Sequence, residues 1–374
     1  MKALIVGGGI GGLAAAIALR RARMEAIVFE QSRELKPVGY ALALSPNALL
    51  GLEHLGLAEA VRARSVRLDR IFIRRWDGRV LSEVGLGELE WEMLAVPRGD
   101  LHQVLQRAAG DALRLTSRCT GFREEAGGVA AVLGDESEQH GDLLVGADGI
   151  NSVIRTQLHG SADLRYAGQA WRAVTAFDDE SLRGMLNQSW GPGAQFGLMP
   201  IGGGLLYWVA AELGPPDAPP PPGGLKAALL RRFGKWHDPI AAVIEATDEA
   251  AIAKTDVYDR RPLSSWGSSR VTLLGDAAHP MTPNLGQGAA QALEDAVVLA
   301  SRLRNAGDIE PALRAYEATR IPRTTALVRR SRQLAKIAQL QNPLGQRLRD
   351  LLLQAIPERV QRAQQERIVR IDLD

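Results

Sequence analysis

The chain has 374 residues, 46% of them hydrophobic and 24% charged, with a formal net charge of +2. That length suffices for two domains and a sizeable core, and the composition excludes a disordered or low-complexity chain. A single cysteine, Cys119, excludes an internal disulfide framework and a cysteine metal site and suits a reducing cytoplasm, while no apolar run reaches the ~18 residues of a membrane span.

Ala3-Leu4-Ile5-Val6 reads as a buried strand, Gly7 to Gly12 supplies G-x-G-x-x-G, and Leu13 to Arg23 continues as an alanine-rich helix. Lys2 followed by apolar residues superficially resembles a secretion signal, but the glycine motif explains the stretch better. A second strand, Ala26 to Phe29, ends in Glu30, about where a ribose-binding acid is expected after such glycines. The glycines alone are a weak signal; strand, helix, strand and acid together point to dinucleotide binding. A merely glycine-rich turn would not need the acid.

Asn47 to Leu55 has helical spacing, Ile71 to Trp76 and Arg79 to Val84 read as a hairpin across Asp77-Gly78, and Gly99 to Ala109 is helical with Arg98 at its start. Strand-like Phe122 to Glu125 and Val129 to Leu133 follow. Then Leu143-Leu144-Val145 runs into Gly146-Ala147-Asp148-Gly149, another strand, acid and helix start, expected at the carboxyl edge of the first sheet. From 165 to 257 the pattern is mostly extended: Trp171 to Phe177, Gln195 to Ile201, Leu205 to Glu212 and Ala251 to Val257 predict a second sheet. Its first strand puts Arg172, Val174 and Ala176 on one face and Trp171, Ala173 and Thr175 on the other, and Tyr207 and Trp208 also point to opposite sides. Gly214 to Gly224, with six prolines, reads as a stiff connector in preference to a peptide ligand, and leads to a helix over Leu225 to Phe233.

The most telling segment comes next. Val271 to Leu274 is strand-like, Asp276 follows it, Pro280 and Pro283 stiffen the turn, and Gly286 and Gly288 open a helix through Ala289 to Ala296. A helix start free of bulky side chains offers unpaired N–H groups and partial positive charge to a flat, electron-accepting ring, and Asp276 can accept hydrogen bonds from a polyol chain. Helices are predicted over Gln287 to Arg304, Pro311 to Gln341 and Leu344 to Leu353, the last stopping before Pro357; no internal repeat is found. Residues 301 to 374 carry 15 Lys and Arg against 8 Asp and Glu, a balance of +7 that leaves −5 for the first 300. A solvated helical face accounts for this better than an anionic partner, and with Tyr316 the only interleaved aromatic, base stacking on nucleic acid is not expected. His102 and His279 are the tempting general bases, but His279 reads as a turn residue and His102 as an ordinary helix residue. Six scattered histidines without paired ligand spacing predict no metal.

These motifs, in this order, resemble the single-component (group A) FAD-dependent aromatic monooxygenases over nearly the whole chain. The resemblance rests on the glycine start with Glu30, Ser45-Pro46-Asn47-Ala48-Leu49 ending in Leu55-Gly56-Leu57, Arg98 with Leu101 and Leu105, Gly146-Ala147-Asp148-Gly149, and Gly275 to Gly288. Tyr166-Ala167-Gly168 before Trp171-Arg172, and Pro200 before Tyr207-Trp208, look most like the salicylate hydroxylase and 6-hydroxynicotinate hydroxylase branch, with urate hydroxylase and zeaxanthin epoxidase as relatives. Glu294-Asp295-Ala296 and Tyr316-Glu317 to Arg320 complete it.

The resemblance implies a p-hydroxybenzoate hydroxylase-like α/β fold. It has a discontinuous Rossmann-like FAD-binding domain (1–75, 96–162 and 263–340), a mixed-sheet substrate domain (76–95 and 163–262) and a C-terminal helical tail (341–374). It assigns Gly7, Gly9 and Gly12 to the FAD pyrophosphate, Glu30 to the adenosine ribose, Arg98 to the flavin's phosphate or ribityl region and Asp276 to the ribityl chain. Asp148 is associated with both FAD and the reducing nicotinamide, and the backbone from Pro283 through Gly286 to Gly288 borders the isoalloxazine. The implied activity uses NADH or NADPH and O2 to hydroxylate an electron-rich aromatic or heteroaromatic small molecule through a flavin C4a-hydroperoxide. The nicotinamide visits transiently, since Gly202-Gly203-Gly204 leads into a strand and no second strand-glycine-helix motif exists. Tyr40, Arg172, Gln195, Tyr207 and Pro283 are the substrate-pocket candidates. A reductive or epoxidising FAD oxidoreductase of the same fold, and a non-catalytic FAD-binding protein, stay open as alternatives. The expected setting is a cytoplasmic monomer or homodimer without stable membrane insertion.

Overall fold

Near-continuous aliphatic runs such as Leu4-Ile5-Val6 and Leu143-Leu144-Val145 suit strands covered on both faces, the situation of a parallel sheet. In the computed structural model, which describes residues 1–35, 40–87, 91–161, 164–219, 221–371 and 373, both runs lie in a five-stranded sheet whose pairs are all parallel. Lys2–Val6 is central, flanked by Glu25–Phe29 and Leu143–Gly146, with Val271–Leu273 and Leu113–Arg114 at the edges. The register aligns Val6 with Phe29 and Gly146, and Gly146 with Leu273. The residues that follow these strands, Gly7, Glu30, Ala147-Asp148 and Gly275-Asp276, therefore emerge side by side at one carboxyl edge, where open parallel sheets bind their ligands.

Helix Ile10–Arg21 starts at that edge and packs against the sheet and against helix Gly288–Leu303. Its approach depends on Gly12. A Cβ there would lie 1.9 Å from the Gly7 carbonyl oxygen, and a backbone atom cannot rotate away. Gly7 itself has φ +106°, a conformation that disfavours any side chain.

The second sheet has seven strands in the order Ala253–Asp259, Arg165–Ala176, Leu205–Glu212, Ala194–Gly202, Met185–Gly191, Arg70–Arg75, Val80–Gly85. One face buries Trp171, Phe196 and Trp208 against Phe233 and Trp236 from the helical segment beyond the proline-rich connector. On the other face Val174, Met199 and Tyr207 stand in one cross-strand row and pack against Ala41 and Ala95. Those two alanines come from a small antiparallel sheet, Ala41–Leu44, Leu94–Pro97 and Val66–Arg67. The small sheet thus sits between the two large ones.

Several expectations are corrected. Both strands of the Asp77-Gly78 hairpin belong to the seven-stranded sheet, so a boundary between 75 and 76 would cut a hydrogen-bonded hairpin in two. The boundary at 162 and 163 lies outside the described residues. Strands Ala41–Leu44, Leu94–Pro97 and Met185–Gly191 were not foreseen, because they are short or lack alternation. Pro357 does not end the helical region: it stands just before a further helix, Glu358–Val369, a position where proline's missing N–H costs nothing. Helices Pro343–Ala355 and Glu358–Val369 cover the edge strand Val80–Gly85, through Arg79 to Gln354 (3.0 Å), Gln354 to the Val80 carbonyl (3.1 Å) and Ser82 to Gln361 (2.5 Å). Covering an edge removes a template for unwanted strand pairing.

Gly12→Ala should be among the most damaging single-methyl additions in the chain. We expect a loss of about 3 kcal/mol or more, at the upper end for overpacking, measured by urea unfolding; a loss below about 0.5 kcal/mol would show that helix Ile10–Arg21 does not press on Gly7.

Candidate active site

The carboxyl edge of the parallel sheet opens into a cleft of about 590 Å³. Gly7, Gly9, Glu30, Arg98, Asp148, Asp276 and Gly288 line it together, although they come from six separate stretches of chain. Gly12 and Gly286 are not among the lining residues. Gly12 lies beneath the floor, where its smallness serves helix packing. Gly286 adopts a left-handed φ of +64° at the end of the turn Pro283–Leu285, two residues before the helix that does reach the cleft. Gln31, Leu42, Ser117, Arg118, Cys119 and Asn151 also line the cleft and were not foreseen. Asn151 adjoins the acid motif and was within reach of the sequence. Ser117 to Cys119 follow a two-residue edge strand and carry no pattern that could have marked them.

Each polar group has a distinct state. Glu30 accepts hydrogen bonds from the N–H groups of Gly8 (2.7 Å) and Ser32 (2.8 Å). Burial works to raise its pKa, but the Ser32 and Gly8 donors prevail and hold the carboxyl below its ordinary value. A carboxylate with one N–H on each oxygen keeps lone pairs for ribose hydroxyls. His102 Nε2 lies 2.8 Å from the Gly8 carbonyl, so this helix residue anchors the glycine loop. Asp148 accepts from the Val153 N–H through Oδ2 (2.7 Å), while its buried Oδ1 has no partner among the described residues. Burial pushes its pKa up against those hydrogen bonds.

Asp276 is open to the cleft yet enveloped by protein atoms, and this burial raises its pKa, opposed by the charges of His279 and Arg98. The Arg98 guanidinium has no hydrogen-bond partner among the described residues, while its backbone N–H donates to the Tyr40 carbonyl (2.9 Å). Gly9 keeps the floor open, since a Cβ there would meet no described atom within 4 Å and would project into free space. Two helix N-termini, beginning at Ile10 and Gly288, face the same cleft. This combination fits a diphosphate, a polyol and a polar ring.

A buried charge network holds Asp276 in place. Asp295, fully buried, accepts from the Gly275 N–H (2.9 Å), lies 2.6 Å from His279 Nε2, and accepts from Arg320 Nε (2.6 Å). Arg320, also fully buried, donates to Glu294 (2.5 Å) and to the Gln291 side chain (2.7 Å). Glu294 further accepts from Asn47 (2.6 Å) and from Arg323 (2.8 and 2.9 Å). Ser45 and Asn47 then bind Gln287 at the helix entrance (3.0 and 2.9 Å). The Ser45-Pro46-Asn47 phrase, the Glu294-Asp295 pair and Arg320 are thus one structure, distant in sequence. His279 belongs to it and is not positioned as a free base. Arg155, buried without a carboxylate partner among the described residues, donates to the Ala277 and Ala278 carbonyls (2.9 Å each), and burial pushes its pKa down to about 10.

Most basic residues of 301 to 374 are exposed, as a solvated face requires, among them Arg302, Arg304, Arg329, Lys336, Arg347, Arg359, Arg367 and Arg370. Arg320, Arg323 and Arg332 instead turn inward to the buried Glu294, Asp295 and Asp259.

Register places Arg172, Gln195 and Tyr207 on one face of the seven-stranded sheet. Arg172 donates to Thr255 (2.7 Å), and its guanidinium stands 5.3 Å from the Tyr40 ring centre. Among the described residues Arg172 has no carboxylate partner. Burial raises the Tyr207 hydroxyl to about 12, with the Arg172 charge opposing. Gln195 reaches toward Asn284 (3.5 Å) in the turn that begins with Pro283. None of the five pocket candidates lines the cleft itself; Arg172, Gln195 and Tyr207 share one face of the second sheet, Tyr40 bridges Arg172 and Arg98, and Pro283 opens the turn whose Asn284 meets Gln195.

Comparison with known proteins gives a consistent picture. Residues 1–331 match the family described as "FAD binding domain". The chain is 40% identical to the aurachin C monooxygenase/isomerase of Stigmatella aurantiaca, over 94% of each protein. It is 34% identical to the FAD-dependent urate hydroxylase of Klebsiella pneumoniae subsp. pneumoniae, over 90% of each. The crystal structure of Klebsiella pneumoniae HpxO complexed with FAD and uric acid superposes with a TM-score of 0.92 at 32% identity, covering 99% of this chain and 97% of that one.

Two outcomes follow. Asp276→Ala should weaken FAD binding about tenfold to a hundredfold, the range for one charge-assisted hydrogen bond in a buried setting, read by equilibrium dialysis; unchanged affinity would remove Asp276 from cofactor binding. Burial opposes ionisation of Asp295, but His279 and Arg320 win and depress its pKa from 3.8 to about 2. The stability this confers is present above about pH 4 and is lost as pH falls toward 2. Asp295→Asn should therefore unfold about 3–5 kcal/mol more easily at pH 7, with the gap to the parent narrowing between pH 4 and 2 in chemical denaturation; a gap independent of pH would contradict this.

Proposed function

The chain belongs to the FAD binding domain family, and from that premise we propose that this FAD- and NAD(P)H-dependent monooxygenase hydroxylates a planar aromatic or heteroaromatic molecule that presents an oxygen acceptor. The observation that carries the reading is Arg172. It is a sheet-borne cation, held by Thr255 and the Tyr40 ring and without a carboxylate partner among the described residues, and the Tyr40 carbonyl in turn accepts from the backbone N–H of Arg98, which lines the cofactor cleft. A phenolate, carboxylate or ring carbonyl is its natural complement. The urate of one named relative is such a heterocycle.

The chain's own residues divide the work. Gly9 and the helix start behind it would offer backbone N–H groups to the diphosphate, and Gly7, whose own N–H is held by the Phe29 carbonyl (2.8 Å), would let it approach closely for want of a side chain. Glu30 would offer carboxylate lone pairs to the ribose, and Asp276 and Arg98 would hold the polyol. When bound, FAD supplies the two-electron redox chemistry and the activation of dioxygen. The N-terminus of helix Gly288–Leu303, which starts at the cleft, would stabilise negative charge on the flavin ring. Tyr207, with its hydroxyl raised to about 12, stays protonated at neutral pH, so it orients substrate oxygen as a neutral group and is not the base. The apolar row of Val174 and Met199 keeps water from the reacting face. A cytoplasmic setting belongs to the same reading, supported by the single, buried Cys119.

The test is to screen phenols, hydroxybenzoates, hydroxypyridines, purines and quinolones for accelerated NAD(P)H consumption and for an atom of labelled oxygen in the product. NAD(P)H oxidation without label in any product would leave only a reductive flavoenzyme. With a substrate found, Arg172→Met should raise KM about tenfold to a hundredfold, as expected for a lost charge-assisted contact, and should divert NAD(P)H oxidation toward hydrogen peroxide while FAD content stays unchanged. An unaltered KM would place the substrate elsewhere.

A further inference from the structure

Helix Pro343–Ala355 turns its apolar side outward. Leu344, Leu348, Leu351 and Leu352 are 73%, 59%, 63% and 58% exposed, and with Ala355 their spacing puts them on one face of the helix. The opposite face is anchored. Arg349 is buried, donates to the Ile337 and Ala338 carbonyls (3.2 and 3.3 Å), pairs with Asp350 (2.7 Å) and stands over the Trp190 ring. The helix also starts firmly, with the Asn342 side chain accepting from the N–H groups of Leu344 and Gly345 and Pro343 in the first turn. This is a rigid, built surface and not a fraying end.

We propose that this face docks a second copy of the chain, the two helices lying antiparallel across a twofold axis. Two properties select that occupant. The first is area: the four leucines present on the order of 400 Å², at the upper end of what a monomer leaves bare and about half of the roughly 800 Å² each partner gives a standard interface. Leu213, 47% exposed, adds to it. It adjoins the helix start, since its N–H bonds Gly193, whose own N–H bonds Leu340. The second property is self-complementarity. Reversing the helix on itself sets Leu348 against Leu351, Leu344 over the small Ala355, and Leu352 along the aliphatic stem of the exposed Arg347, as an isologous interface requires. An anionic membrane is the lesser fit. Of the three charges on this helix, Arg349 and Asp350 pair with each other, leaving only Arg347, whereas membrane-surface helices carry many cations beside the apolar face.

The experiment uses the FAD-loaded full chain in light scattering and sedimentation over a concentration series. The parent should reach twice the 40.3 kDa protomer mass, and Leu348→Glu with Leu351→Glu should be a monomer with unchanged FAD content and circular dichroism. Independently, Leu348→Cys with Leu351→Cys should form a covalent dimer on mild oxidation, while Arg359→Cys should not. A monomeric parent, or a dimer indifferent to both leucine changes, overturns the proposal. So does co-sedimentation of the parent with phosphatidylglycerol vesicles that the double glutamate variant abolishes, which would assign the face to lipid.

Discussion

The Asp295 carboxylate is the joint on which the site depends. One of its oxygens meets the Gly275 N–H and His279, and the other meets Arg320, so one group fixes the turn that carries Asp276 to helices Gly288–Leu303 and Ile309–Ala338. Charges this deeply buried are costly unless every one is answered. Here each is: Arg320 satisfies Asp295, Glu294 and Gln291, and Glu294 is completed by Arg323 and Asn47. An apolar replacement could pack as well, but it would not specify where Gly275 sits. A cofactor site needs that specification wherever it relies on backbone donors, whose only freedom is the position of the loop.

The same need explains the small residues around the cleft. Side chains at Gly7, Gly9 or Gly12 would fill the floor or drive the first helix from the sheet, so binding here relies on backbone N–H groups and helix termini in preference to long side chains. The acids among the lining side chains are held in place: Glu30 and Asp148 are both tied by N–H donors, and Asp276 faces the charge of Arg98. Cofactor grip thus comes from geometry fixed at folding, which leaves little to reorganise during a reaction.

On the proposed reading, substrate recognition is built differently: it uses one face of the mixed seven-stranded sheet, where alternate residues can change without disturbing the aromatic core of Trp171, Phe196 and Trp208 on the reverse. Tyr40 reaches that face from the strand beside the cofactor loop, and Asn284 from the turn before the helix. Changes in guest chemistry can therefore be made on the sheet while the cofactor edge stays constant, consistent with relatives of similar fold that carry names of different substrates.

Local pattern alone determined the strand-glycine-helix start, the acids at strand ends and the open helix beginning at Gly288, because these features arise from a few adjacent residues and the period of one element. Glu30, Asp148 and Asp276 were legible for that reason, and so was the alternation that puts Arg172 and Tyr207 outside the aromatic core. Only the tertiary structure decided that Gly12 serves packing, that Ser117 to Cys119 reach the cleft, that the 70–85 hairpin joins the second sheet, and that Arg320, Arg323 and Arg332 turn inward to the buried Glu294, Asp295 and Asp259. Each of these depends on which distant segments become neighbours, and the network linking residues 45, 275, 295 and 320 has no periodicity to betray it. A buried charge is recognisable by its partner, and the partner is chosen in space.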